Sequence, residues 1–147
     1  MRLRIATNPE HPELADPEAE WLVWLADLAS ALGPADACVE LSFVDDALMR
    51  RLNRDYRGKD YATNVLTFVY DETEGRLNGD LVVCVPVVLR EARAQGKAVA
   101  AHFAHMVVHG VLHLQGFDHE DADEALAMET RESNILDSLG FANPYDA

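Results

Sequence analysis

The run VAAHFAHMVVHGVLHLQGFDH, Val99 to His119, decides how this chain is read. From Val99 to Leu114 its pattern is helical and apolar on nearly every face, which predicts a buried helix rather than a surface one. Gly116 stops it. Within fifteen residues of an acidic protein stand His105, His109, His113 and His119. His109 and His113 are four apart, so on a helix their imidazoles project from one face and can reach one metal ion. The same spacing also suits a pair of hydrogen-bonded core histidines. Eight residues of helix, a rise of about 12 Å, separate His105 from His113 and make His105 a poor third ligand. His119 fits better, because Gly116 permits a sharp reversal that returns its side chain to the His109 and His113 face.

Three neutral imidazoles without a thiolate suit one zinc ion in an open tetrahedral site whose fourth position is left to water or substrate. A zinc-bound water has a pKa of about 7 and supplies hydroxide at neutral pH. Asp118 and Glu120 flank the third histidine. Either can orient an imidazole, Asp118 being the candidate supporting residue, or both can simply place negative charge at the start of the last helix. Zinc peptidases with this spacing carry Glu directly after the first histidine as general base, whereas Gly110 stands here. An amine leaving group needs that proton delivery, so the glycine points away from peptide hydrolysis. A phosphodiester instead demands positive charge around its non-bridging oxygens. Five of the 12 basic residues fall between Arg50 and Lys59, and they offer that charge in a chain of net charge -14. The overall charge opposes indiscriminate binding to a phosphate backbone, so a single basic patch on an acidic body is expected.

Outward from this centre, the 147 residues, 49% of them hydrophobic, suit one compact domain over residues 1–147. A strand is expected over Arg2–Thr7, an amphipathic helix over Pro17–Leu32, a strand over Val39–Val44 and a helix capped by Asp45 or Asp46 running to about Tyr56. A polar loop follows to Thr63, then a β-like run Asn64–Tyr70, a turn over Gly75–Gly79, a strand Asp80–Val85 and a helix Val87–Gln95 closed by Gly96. The last helix, about Asp123–Leu139, directs Leu126, Ile135, Leu136 and Leu139 to the core and its many acids to water. The class is α+β, a small mixed sheet packed with helices, one of them a zincin-like metal helix. Cys38 and Cys84 read as buried, inert thiols. Neither a signal peptide nor a membrane span is visible, so a soluble, cytoplasmic protein is expected.

Three segments, LNRDYRGKDYATNVLTF, GDLVVC and HMVVHGVLHLQGFDHEDADEALAMETRE, resemble the YbeY family of bacterial endoribonucleases over about Leu41 to Tyr145. The resemblance implies zinc ligation by His109, His113 and His119, one ion per chain, and a catalytic, substrate-binding Arg57, with Lys59 beside it in YRGKD. It also implies single-strand-specific cleavage of RNA in small-subunit ribosomal RNA maturation and ribosome quality control. A small-subunit ribosomal protein and a ribosome-associated GTPase are the implied partners. Where many members have proline and serine, this chain has Ala62, Val69 and Thr67, which bears on the loop beside Arg57. The competing functions are a non-catalytic ribosome-assembly factor stabilised by zinc and a zinc peptidase.

Overall fold

The structure, a computed structural model, describes residues 2–5, 38–71, 78–117 and 120–145. The helix expected over Pro17–Leu32 lies outside these residues, as does most of the turn expected over Gly75–Gly79. Four strands, β1 (Arg2–Ile5), β2 (Cys38–Val44), β3 (Val65–Asp71) and β4 (Asn78–Cys84), form one sheet in the order β1-β2-β4-β3. β1, β2 and β4 run parallel, and β3 lies antiparallel against β4, so the sheet is mixed. Four helices accompany it: α1 (Asp46–Arg57), α2 (Val85–Gln95), α3 (Val99–Leu114) and α4 (Ala122–Ser138). This is the α+β architecture that the sequence predicts.

The alternation of side chains along the strands divides the core. Val39, Leu41 and Phe43 of β2 join Leu81 and Val83 of β4 on one face, where they pack with α3 and with Met128, Ile135 and Leu136 of α4. On the other face Val44, Leu66, Val82 and Cys84 pack with Met49 of α1. Because β4 lies between β2 and β3 and is covered on both faces, its sequence reads as an unbroken apolar run rather than an alternating one. Cys84 is buried as expected, while Cys38 is only half-buried. Both thiols are free.

Two local devices set the position of the site. Asp45 caps α1 by accepting from the Leu48 amide at 2.9 Å, which fixes where the helix starts. At its other end, buried Asn53 donates to the Tyr61 carbonyl at 2.8 Å and so ties the loop after Arg57 back onto the helix. That tie constrains the loop beside Arg57.

In α4 two expectations fail: Leu126 does not face the core, and not every acid faces water. Leu126, expected on the core face, is 64% exposed, and the inward stripe is Met128, Glu132, Ile135 and Leu136. At 3.6 residues per turn Leu126 lies about 120° round the helix from Glu132, so both cannot face inward. Glu132 takes the buried position because the residues opposite it satisfy its carboxylate.

Candidate metal centre

The apolar helix α3 carries a row of imidazoles. Ring centroids are 6.1 Å apart for His102 and His105, 6.2 Å for His105 and His109, and 4.7 Å for His109 and His113. The row runs from the interior outward: His102 and His105 are buried, His109 and His113 half-buried. His102 faces Glu91 at 3.4 Å, and burial lowers its pKa, so it sits neutral in the core. It belongs to the hydrogen-bonded core histidines that the spacing alone also permits.

His109 and His113 both line a cleft of about 790 Å³. Across it stand Tyr56 and Arg57 from the end of α1, then Asn64, Thr67 and Phe68 from the loop and β3, with Glu120 at the rim. The fold thus brings Arg57 to the same cavity as the paired histidines, although more than fifty residues of sequence separate them. Neither nearby acid holds Arg57: Asp60 pairs with Arg50 at 2.8 Å and Asp55 with Arg54 at 3.2 Å. Lys59 is exposed on the loop beyond Arg57 and is not among the residues lining the cleft. Asp118 and His119 lie outside the described residues; Glu120, next in sequence to His119, does line the cleft.

Behind the cleft lies a residue that the sequence pattern does not single out. Glu132, fully buried on α4, accepts from His109 Nδ1 at 2.5 Å through Oε1 and from His105 Nε2 at 3.0 Å through Oε2. The Tyr145 hydroxyl donates to the same Oε2. Burial alone would raise the pKa of this carboxyl, but the hydrogen bonds from His105, His109 and Tyr145 outweigh it and hold the pKa at about 2. Glu132 is therefore an anion at neutral pH. The one signal in the sequence was its register: Glu132 falls four residues after Met128 and three before Ile135, in the apolar stripe.

His105, His109 and Glu132 each offer one ligand atom within 4.8 Å of the others, a group able to hold a metal ion. The hydrogen bonds above already engage the atoms of that group, whereas His109 and His113 both line the cleft. With Nδ1 donating to Glu132, the His109 ring carries its lone pair on Nε2, the arrangement that metal-ligating histidines adopt. The donor set of the cleft therefore fits a metal. Gly110, next to His109 on α3, is buried against β4: a Cβ there would meet Leu81 Cδ1 at 2.2 Å. A peptidase-type glutamate has no room at that position.

The family described as Endoribonuclease YbeY matches residues 10–140. Endoribonuclease YbeY of Aromatoleum aromaticum is 67% identical over 118 residues, covering 80% of this chain and 75% of that protein. Endoribonuclease YbeY of Paraburkholderia phymatum is 52% identical over 139 residues, covering 94% and 88%. The solution structure of TM1509 from Thermotoga maritima superposes with a TM-score of 0.56 at 24% identity, over 99% of this chain and 100% of that one. That likeness bears on the fold alone.

Proposed function

The chain belongs to the Endoribonuclease YbeY family of hydrolytic nucleases, and from that membership and the cleft we propose that it is a zinc-dependent, single-strand-specific endoribonuclease. We assign its zinc ligands to His109, His113 and His119, one ion per chain, with Asp118 supporting them. The observation that carries the reading is the shared cleft: Arg57, His109 and His113 line one cavity, which suits a phosphodiester held between a metal and a guanidinium. A bound zinc ion supplies Lewis acidity and an acidified water there.

The chain's own residues do the rest. Arg57 presents a planar fork of donors that fits two non-bridging phosphate oxygens and opposes the charge that grows on them during displacement. Tyr56 is 69% exposed and meets Phe68 edge-on at 5.2 Å, so its ring can take an unpaired base at the cleft wall. Arg51 and Lys59 extend positive charge beyond the cleft for neighbouring phosphates. A paired base cannot stack on Tyr56, which supports selectivity for single strands.

The same reading assigns the enzyme to small-subunit ribosomal RNA maturation and ribosome quality control in the cytoplasm, as one domain over residues 1–147. A small-subunit ribosomal protein and a ribosome-associated GTPase are its proposed partners. Among the described residues no helix is long and apolar enough to cross a membrane. The test is metal content together with cleavage of a labelled single-stranded RNA and its duplex, by wild type and by His113→Ala. We expect one zinc per chain and preferential cut of the single strand, with both zinc and cleavage lost in the variant. Zinc-dependent folding without turnover would favour the assembly-factor role instead. Casein hydrolysis would contradict the nuclease reading.

A further inference from the structure

We infer that Glu132, pinned by His105 and Tyr145, is a positioning residue that holds the His109 ring in its metal-binding tautomer and so sets the affinity of the zinc site. This deepens the proposed function and rests on His109 being a ligand. The geometry divides the carboxylate cleanly. Oε1 takes His109 Nδ1 at 2.5 Å, while Oε2 takes His105 Nε2 at 3.0 Å and the Tyr145 hydroxyl. Rotating the carboxylate to release His109 would also break the contacts on Oε2, at a side chain that is itself fully buried. Glu132 is 0% exposed, so its hold on the ring is not shared with solvent.

A carboxylate on the far nitrogen of an imidazole does three things for a ligand. It makes Nδ1 the protonated nitrogen, which leaves the lone pair on Nε2, and it raises the basicity of that lone pair. It also stops the ring from turning, so less rotational freedom is lost when a metal binds. His105, too far along α3 to share an ion with His113, acquires a role here: it anchors the carboxylate. Tyr145, beyond the end of α4, ties the C-terminal segment to the same group and also approaches His105 Nε2 at 3.2 Å.

The experiment strips the full-length protein of metal and measures zinc affinity by competition with a chromogenic chelator. Wild type, Glu132→Gln, Tyr145→Phe and His113→Ala are compared. Two-bond ¹H–¹⁵N spectra report the His109 tautomer, and melting of the metal-free protein reports the fold. Glu132→Gln should weaken zinc about 10- to 100-fold and replace a single Nδ1–H tautomer of His109 by a mixture, because an amide can donate as well as accept. Tyr145→Phe keeps Glu132 but loosens it, so it should weaken zinc less, with metal-free melting near wild type. That variant carries the test should Glu132→Gln not fold. Wild-type affinity and tautomer in both variants, while His113→Ala loses zinc, overturn the positioning role and leave the ligand assignment standing. Glu132→Gln losing zinc as completely as His113→Ala makes Glu132 a ligand and likewise overturns it. Zinc retained in His113→Ala overturns the ligand assignment beneath both.

Discussion

Gly110→Ala places one methyl group where α3 touches the sheet, and the structure allows its cost to be worked out. The new Cβ would lie 2.2 Å from Leu81 Cδ1 and 3.1 Å from Val65 Cγ1. Carbon atoms in good contact are about 3.5–4.0 Å apart, so the methyl is at least about 1.3 Å too close to Leu81. Leu81 is fully buried in the core cluster, so shifting its side chain disturbs packed neighbours. Overpacking of this kind costs about 1–3 kcal/mol. Alanine returns roughly 1 kcal/mol through its better helix propensity. The net expectation is a loss of about 0–2 kcal/mol, a fall in melting temperature of up to about 8 °C for a chain of this size. The assay is urea and thermal unfolding of the metal-free protein, run as a double-mutant cycle with Leu81→Ala. Leu81→Ala alone should cost about 2–5 kcal/mol, but in the Gly110→Ala background the loss should be smaller, because the truncation relieves the clash. Gly110→Ala exceeding wild-type stability, or a strictly additive cycle, would refute the claim that contact with Leu81 keeps glycine beside His109. Gly110→Glu adds a carboxylate to the same space and should unfold the protein further without creating casein hydrolysis.

Arg57→Lys keeps the charge but loses the planar fork, so single-turnover cleavage should fall about a hundredfold or more while zinc content and melting stay near wild type; an unchanged rate would move the search for the second electrophile to Lys59. Tyr56→Ala should weaken binding of single-stranded RNA by about 1–3 kcal/mol in fluorescence titrations and leave zinc affinity untouched, and equal binding would remove the stacking role. Burial, aided by the Asp46 carboxylate beside it, pushes the Cys84 thiol from 9.0 up to about 11. Because the folded state favours the neutral thiol, its contribution is complete below pH 9 and is lost as pH rises towards 11. Urea midpoints measured across that window should therefore fall less steeply in Cys84→Ala than in wild type, and parallel curves would count against it.

The helix that bears the row of histidines was legible because its signals are local. Val99–Leu114 forms as expected, with Gly116 at φ 98° just beyond it, since an apolar run and a left-handed glycine act within a few residues. The pairing of His109 with His113 was legible for the same reason: helix pitch alone puts them on one face, and the structure adds only the cleft they share. The basic cluster identified the neighbourhood of Arg57 through composition.

Which arginine stands beside the histidines was not contained in that cluster. Only the folded chain gives Asp60 of the loop to Arg50 and Asp55 to Arg54 along α1, and turns Arg57 to the cleft. Glu132 marks the boundary most sharply. In α4 it is one acid among many, and periodicity assigns acids to water. It is buried because His105, His109 and Tyr145 reach it from 27, 23 and 13 residues away and offset the cost of desolvating its charge. Helical pitch records which residues share a face. A buried ion is decided by hydrogen-bond partners on other elements, which exist only once α3, α4 and the C-terminal segment have packed together.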